Sequence, residues 1–512
     1  LTEGGSEEPP IHELDAWESY LFPGERFLVP PNLPLIGFVE IDRPIFDDKK
    51  PRDPLVSLLP LPNIRDYLDF GPSVWDPEAF TKSFEKHFYA EPKNFVKDYP
   101  QATGFADRKL KQHYSFLNST SIIDIVSTEK NTFSCPAYPK LLVYESEEDY
   151  LQEHGWDYYV SEFERVCNGA KPRVAWYLFL KKEILKKSKI QEKDIRQIVC
   201  SDPIFARIGA VFEQHQNNLM KSYVDTSSGQ CGWTPFYGGF QRAIGRLSAP
   251  GFKYVEFDWT RFDGTIPPQL FRRIKYFRFL MMEKPKRDKL KHVYAWYVSS
   301  LLRRYTILPN GEVTLCKKGN PSGQISTTMD NNLVNYWLQA FEFYRLNIET
   351  HTEEQIEEFW KDYDTLVYGD DRLASTPILP DNYVARVIQL YKEVFGMWVK
   401  EENVKVSDNL EGLSFCGFLI GKENLPLPAK PYKLMASLLT PTTRLPDIVA
   451  LHGKLLCFQL LCHHLESDHP FKRYLSACLD FIGPKIAGSG LPARFTDSQL
   501  DAIWRGGPNS HG

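Results

Sequence analysis

The chain has 512 residues, of which 42% are apolar, 14% aromatic and 25% charged, a mix that fits folded globular protein and excludes a disordered chain. Its 61 Lys and Arg against 66 Asp and Glu give a formal net charge of −5. That excludes a simple basic nucleic-acid coat while leaving room for positive charge gathered locally. No apolar run reaches the roughly 18 residues of a membrane span, and the first ten residues lack a signal-peptide plan.

The length corresponds to roughly three or four domain-sized units. The chain begins at Leu1, as a processed product or a trimmed piece would. Nine scattered cysteines without a CxxC pair point to reduced thiols in a cytosolic setting.

Residues 1–60 are Pro-rich and carry twelve acids against five bases. They predict an extended arm with little regular structure, above all at the first ten residues. Residues 171–196 carry nine bases and three acids. Pro267 to Leu280 predicts a helix with Leu270, Phe271, Ile274, Phe277 and Met281 on one apolar face and Arg272, Arg273 and Lys275 largely off it. It opens a second basic block, 271–304, with eleven bases and two acids. Asn331 to about Asn347 predicts a helix buried through Leu333, Val334, Trp337, Leu338 and Phe341. Residues 340–371 are acidic, with ten acids and two bases. Between Tyr363 and Ser375, apolar stretches flank Gly369-Asp370-Asp371, the pattern of a hairpin. Residues 440–485 read as helical, and the tail from Arg505 to Gly512 as disordered. A single charge run is ordinarily a solvated helix face. Two basic blocks followed by an acidic one suggest instead a channel lined by positive charge beside a cluster of acids.

The acids sit in two motifs. Asp258-Trp-Thr-Arg-Phe-Asp263 follows the strand candidate Tyr254-Val-Glu-Phe257, and Tyr368-Gly-Asp370-Asp371 occupies the hairpin. Acids at adjacent strand ends can converge, and magnesium takes hard oxygen ligands. Two ions about 3.5–4 Å apart can serve a nucleotidyl transfer. Either motif alone is commonly a turn or a solvated loop. Between them, Gly319-Asn-Pro-Ser322-Gly323-Gln-Ile-Ser-Thr327-Thr-Met-Asp-Asn331 is a glycine-rich loop that opens a helix. Small residues there would let backbone approach a ribose or a template. Thr327 and Asn331, four apart, share a helix face and could help Asp263 sense a 2′-hydroxyl. By itself the segment would be an ordinary capped helix start.

The order and spacing of Asp-x4-Asp, Ser-Gly-x3-Thr-x3-Asn and Tyr-Gly-Asp-Asp resemble motifs A, B and C of positive-strand RNA virus RNA-dependent RNA polymerases. The wording is most similar to the astrovirus enzymes, with picornavirus and calicivirus enzymes more distant. The resemblance implies an α+β right-hand fold of fingers, palm and helical thumb, with a three-stranded antiparallel palm core. It implies an arm at 1–60 bridging fingers to thumb, fingers at 61–205, palm at 206–264 and 319–430, a fingers insertion at 265–318, and a thumb at 431–505 before a disordered tail, 506–512. It implies that Asp258 and Asp370, assisted by Asp371, bind two Mg2+ ions, with Mn2+ able to substitute. Asp263, Ser322, Gly323, Thr327 and Asn331 would position and select the ribonucleotide.

Further motifs extend the resemblance. Lys181 to Arg196 resembles motif F, so Arg196, Lys193 and Lys189 would contact the triphosphate. Ser134-Cys-Pro-Ala-Tyr-Pro139 resembles motif G. Phe395 to Lys405 lies where motif D belongs, with Lys405, ahead of Lys400, as general acid. Phe415-Cys-Gly-Phe418 resembles motif E, which grips the primer. The implied partners are template and nascent RNA, nucleoside triphosphates, a genome-linked protein primer and other viral replicase proteins, with no intrinsic membrane span. The implied setting is the cytoplasm of the infected host cell, at membrane-associated replication complexes.

Two alternatives stand beside templated RNA synthesis. A reverse transcriptase shares the palm, although such enzymes place a bulky aromatic where Asp263 stands. A silent RNA-binding scaffold would not need intact acids at 258, 370 and 371. Cys457-x4-Cys462-His463-His464 holds zinc-ligand residue types without a second pair at a known spacing, so it is assigned to the helical core of the thumb.

Overall fold

In the computed structural model, residues 12–41, 53–85 and 92–506 are described. The first ten residues of the arm and the tail after Gly506 lie outside them.

Among the described residues, fourteen strands form four sheets. They are β1 (Leu35–Phe38), β2 (Phe70–Pro72), β3 (Ala175–Leu180), β4 (Ile184–Lys186), β5 (Gln197–Ser201), β6 (Lys253–Phe257) and β7 (Arg304–Ile307). Then follow β8 (Glu312–Cys316), β9 (Asp364–Tyr368), β10 (Asp371–Thr376), β11 (Val404–Ser407), β12 (Ser414–Phe415), β13 (Phe418–Ile420) and β14 (Pro426–Pro428). The sheet orders are β1-β8-β7-β3-β5, β11-β6-β10-β9, β12-β13-β14 and β2-β4. The fold is thus α+β, as expected. The sheet that carries the acids has four antiparallel strands, not three, because β11 adds to the free edge of β6.

Alternation along β6 places this sheet between two cores. Tyr254 joins Leu366, Leu373, Phe415 and the helix Gly239–Leu247 on one side. Val255 and Phe257 face the main core, which includes the helix Thr327–Asn347. That helix starts at Thr327, four residues before its expected start, and buries Leu333, Val334, Trp337, Leu338 and Phe341. Beneath the sheet, Arg372 forms a buried two-bond pair with Glu342, at 2.9 and 3.0 Å.

The described part of the arm has little regular structure, as expected, but it is tied down at both ends. Ala16–Tyr20 is a 3-10 turn, and β1 pairs with β8 at the edge of the five-stranded sheet. Farther along, Val56 and Leu59 enter the core of the C-terminal helices beside Met435, Leu451 and Phe471. Asp53 accepts from the Leu445 N–H at 3.0 Å, and Tyr474 Oη donates to the Pro60 carbonyl at 2.7 Å. The C-terminal region consists of the helices Pro431–Leu439, Ile448–Leu461, Pro470–Ile482 and Asp497–Arg505. Arg505 therefore closes a helix instead of opening the tail.

The helix Pro268–Met281 forms as expected, with prolines at its first turn. Arg272 and Arg273 stay off the buried face as expected, but two other charges do not. Lys275 and Arg278 are fully buried and pair with Glu213 and Asp330, with Lys275 Nζ 2.8 Å from Glu213 and Arg278 donating to Asp330 at 2.8 Å. Arg304 is buried too, donating to the carbonyls of Leu301 and Lys318. These three bases of the 271–304 block are internal ties. Of the exposed ones, Arg272 lies on this helix, Lys284, Lys286, Lys289 and Lys291 on the following helix, Lys284–Leu302, and Arg303 just past its end.

Candidate active site

The carboxylates meet because two strand ends coincide. β6 and β10 pair antiparallel with Phe257 opposite Arg372, so Asp258 and Asp371 are the next residues outward on neighbouring strands. β9 and β10 close through Gly369-Asp370, with Tyr368 opposite Asp371. Gly369 has φ of 62°, the left-handed conformation such a tight hairpin requires. The turn is anchored from below. Gly369 N–H donates to Asn332 Oδ1 at 2.6 Å, and Asn335 Nδ2 donates to the Gly369 carbonyl at 3.0 Å.

Crowding shows in the acidities. Asp370 is open to solvent on one side, but the protein packed behind its carboxyl, with the charges of Asp263 and Asp258, pushes its pKa up to about 6. Burial pushes Asp371 up to about 7, opposed by the Cys416 N–H, which donates to Asp371 Oδ2 at 2.9 Å. Cys416 belongs to the β12–β13 turn, so the hairpin expected to grip a primer also holds an acid of the cluster. Hard oxygen donors under mutual repulsion suit divalent cations that prefer oxygen. The three acids fit such a group.

Beside them, Asp263 lies on the one-turn helix Phe262–Thr265, and Asn331 Nδ2 donates to its Oδ1 at 2.6 Å. Asn320 Nδ2 donates to Asn331 Oδ1 at 2.9 Å, and Gln324 Nε2 bridges Asn320 Oδ1 and Asp330 Oδ2 at 2.9 and 2.7 Å. A continuous polar chain therefore joins Asp263 to the buried Glu213–Lys275–Arg278–Asp330 cluster.

The rest of the loop behaves differently from expectation. Thr327 Oγ1 donates to the Pro321 and Gln324 carbonyls, both at 3.0 Å, and so folds the loop on itself. Ser322 Oγ donates to the Gln197 carbonyl at 3.0 Å and accepts from Val199 N–H at 3.3 Å. A Cβ on Gly323 would stand 2.3 Å from the Val199 carbonyl oxygen. The close approach that glycine permits is to β5, where a ribose or template had been expected.

Of the basic candidates, Arg196 leaves β5's start exposed and forms a two-bond pair with Glu183, which raises its pKa ahead of smaller effects from Asp370 and Asp263. Lys193, at φ of 60°, pairs with Asp76 at 2.7 Å. Lys189 is exposed on the short helix Lys187–Gln191. Lys405 lies on β11, two strands from Asp371, with its ammonium 3.6 Å from Glu256. Lys400 is exposed just before β11.

Sequence reasoning missed Asn320, Gln324 and Asn332, whose residue types around a helix start read as ordinary capping, and Asn335, deeper in the same helix. It also missed Lys433. That lysine's pKa is lowered by burial, then by Lys430, Arg196 and Lys189, so the helix Pro431–Leu439 brings two bases to the motif F side. The spacing Lys430-Pro-Tyr-Lys433 directly after β14 was the available signal.

Residues 65–438 match the family described as viral RNA-dependent RNA polymerase. The chain belongs to that family. It is 56% identical over 97% of its length to the non-structural polyprotein 1AB of Human astrovirus-8, and 50% identical over 98% to that of Ovine astrovirus 1. It spans 35% and 38% of those longer proteins. In fold it is similar to the Sicinivirus 3Dpol RNA dependent RNA polymerase, with a TM-score of 0.66 at 16% identity, covering 96% of this chain and 98% of that one. The expected right-hand polymerase fold is therefore the observed one. Among the described residues, no helix is long and apolar enough to cross a membrane.

Proposed function

We propose that this polymerase chain copies a positive-strand viral RNA genome, adding nucleotides from nucleoside triphosphates to an RNA 3′-end. The observation that carries the reading is the convergence of Asp258, Asp370 and Asp371 on adjacent strand ends beside the Asp263–Asn331 pair. Asp258 and Asp370, with Asp371 assisting, would hold two magnesium ions, for which manganese can substitute. Bound there, the ions would supply Lewis acidity to the attacking 3′-hydroxyl and the departing pyrophosphate.

The chain's own residues do the rest. Asp263, held by Asn331, presents an acceptor to a ribose 2′-hydroxyl, which favours ribonucleotides over the deoxynucleotides of a reverse transcriptase. Thr327, Ser322 and Gly323 act at one remove, by fixing the loop on β5 that sets where Asn331 stands. Arg196, with Lys189 and Lys433, neutralises triphosphate oxygens. Lys193 steadies the motif F loop through Asp76. Lys405 is the proton donor to the leaving pyrophosphate, drawn from Glu256 when substrate binds. The arm would bridge fingers to thumb, through β1 paired with β8 at one end and Val56 and Leu59 packed among the C-terminal helices at the other.

Partners would be template and nascent RNA, a genome-linked protein primer and other replicase proteins. The setting would be cytoplasmic replication complexes held at membranes through those partners. Asp370→Ala should abolish magnesium-dependent UMP incorporation on poly(A). Full activity in that variant would overturn the assignment, and an annealed primer added or withheld reads the mode of initiation.

A further inference from the structure

The turn after the helix Ile448–Leu461 carries His463 and His464, and across from it stands Asp501 on the C-terminal helix Asp497–Arg505. One ligand atom from each lies within 4.8 Å of the other two. His463 Nε2 is 2.8 Å from Asp501 Oδ1, and His464 Nδ1 is 3.1 Å from the Pro426 carbonyl on β14. That leaves His463 Nδ1 and His464 Nε2 as buried ring nitrogens with no hydrogen-bond partner among the described residues. An orphaned buried imidazole nitrogen is costly, and each of the two is a lone pair or a proton waiting for a partner.

We propose that His463, His464 and Asp501 bind a zinc-class divalent cation, with water completing the coordination, and that the bound ion locks the C-terminal helix to the turn after Ile448–Leu461. Imidazole with one carboxylate suits zinc and its first-row neighbours, whereas the all-oxygen cluster at Asp258 and Asp370 suits magnesium. Zinc bonds of roughly 2.0–2.1 Å put ligand atoms about 3.3 Å apart, so binding asks for side-chain movements of about an ångström. The Asp501 side chain is 52% exposed and leaves a path for the ion to enter. Cys462 is not a candidate ligand. It is buried in the helical core, and burial pushes its thiol up to about 12.

The location gives the ion a task. Trp504 packs against His464, Phe418 and Phe236 at ring separations of 5.5, 5.8 and 4.8 Å. The Tyr237 and Gly238 N–H groups donate to the Ile503 and Trp504 carbonyls, both at 2.7 Å. The C-terminal helix therefore bridges thumb, β12–β14 hairpin and the segment leading into Gly239–Leu247. A cation joining Asp501 to the two histidines would fasten that bridge at its thumb end.

The test uses the full chain, stripped with chelator and desalted, in excess Mg2+ so that the oxygen-rich cluster is occupied. Co2+ should give visible bands of a nitrogen–oxygen tetrahedral site at one equivalent per chain, and Zn2+ should bleach them. His464→Ala should abolish the bands. Asp501→Asn keeps an acceptor for His463 and sits on an exposed face, so it tests the site without burying a defect. It should weaken Zn2+ binding by at least about tenfold, the lower range for disturbing even a ligand's hydrogen-bond partner. Absence of the bands in the unmodified chain, or equal bands and affinity in Asp501→Asn and the unmodified chain, would overturn the proposal. In that case His463–Asp501 is a hydrogen-bonded clamp only.

Discussion

The Gly369 N–H points into Asn332 Oδ1 at 2.6 Å, so the turn that carries Asp370 is held by the helix beneath it as well as by its own glycine. A Cβ on Gly369 would meet nothing within 4 Å, and what glycine supplies there is the positive φ alone. The orientation of Asp370 is set by Asn332 below and by β9 and β10 on either side.

Asn332→Ala should therefore lower turnover by about 10–100-fold, as loss of a ligand's supporting hydrogen bond does. The buried Gly369 N–H loses its partner, which costs about 1–3 kcal/mol of stability. Steady-state UMP incorporation on poly(A) should show the fall in kcat with little change in KM for UTP. Turnover equal to the unmodified chain would mean that the hairpin holds itself.

The raised acidities of Asp370 and Asp371 predict a pH dependence of defined sign. In the unfolded chain both ionise near 3.8, while in the fold they hold protons up to about 6 and about 7. Between those values the folded state carries more protons, so the metal-free fold loses stability as pH rises through this window. Mg2+ needs the ionised forms, so its binding should release protons at pH 6 and almost none at pH 8.5. Calorimetry in buffers of different ionisation enthalpy measures that release. Asp370→Asn should raise the Tm of the metal-free chain at pH 8, and a lowered Tm would contradict the repulsion argued for the cluster.

What was legible depended on whether a residue's partner lay close in sequence or could be supplied by pattern. The hairpin at Gly369, the buried stripe from Leu333 to Phe341 and the position of Asp258 all follow from local alternation and turn chemistry. Lys275 and Arg278 were misread as channel charge because Glu213, about sixty residues earlier, and Asp330, on a separate helix, neutralise them only in three dimensions. Ser322 and Gly323 were assigned to a ligand for the same reason, since their partner strand β5 is remote in sequence. β11 is only four residues, Val404-Lys-Val-Ser407, too short for its alternation to stand out, so its pairing with β6 had to be seen.

Those buried charges make a separable prediction. Asp330→Ala leaves Lys275 and Arg278 short of a partner inside the core and should cost about 3–5 kcal/mol of stability. Arg278→Met should do comparable harm, whereas Lys291→Ala on the exposed helix should change stability by less than about 0.5 kcal/mol. Thermal unfolding of the three variants orders them. A small effect of Asp330→Ala would mean that solvent reaches the cluster.

The Asp263–Asn331 pair predicts how sugar selection fails. Asn320 donates to Asn331 Oδ1, which turns the Asn331 amide nitrogen toward Asp263 and leaves Asp263 Oδ1 as an acceptor held in place. Asn331→Ala removes one hydrogen bond to a charged group, worth about 1.5–3 kcal/mol, and frees Asp263 to leave the position of the 2′-hydroxyl. If half of that loss falls on the ribonucleotide alone, the ratio of kcat/KM for UTP over dTTP should drop by about three- to twelvefold. Asn331→Asp should fall further, because a second carboxylate 2.6 Å from the first repels it instead of holding it. Competition between UTP and dTTP on one poly(A) template reads the ratio directly. An unchanged ratio in both variants, with turnover reduced, would assign the pair to positioning the acid cluster and move sugar discrimination to another residue.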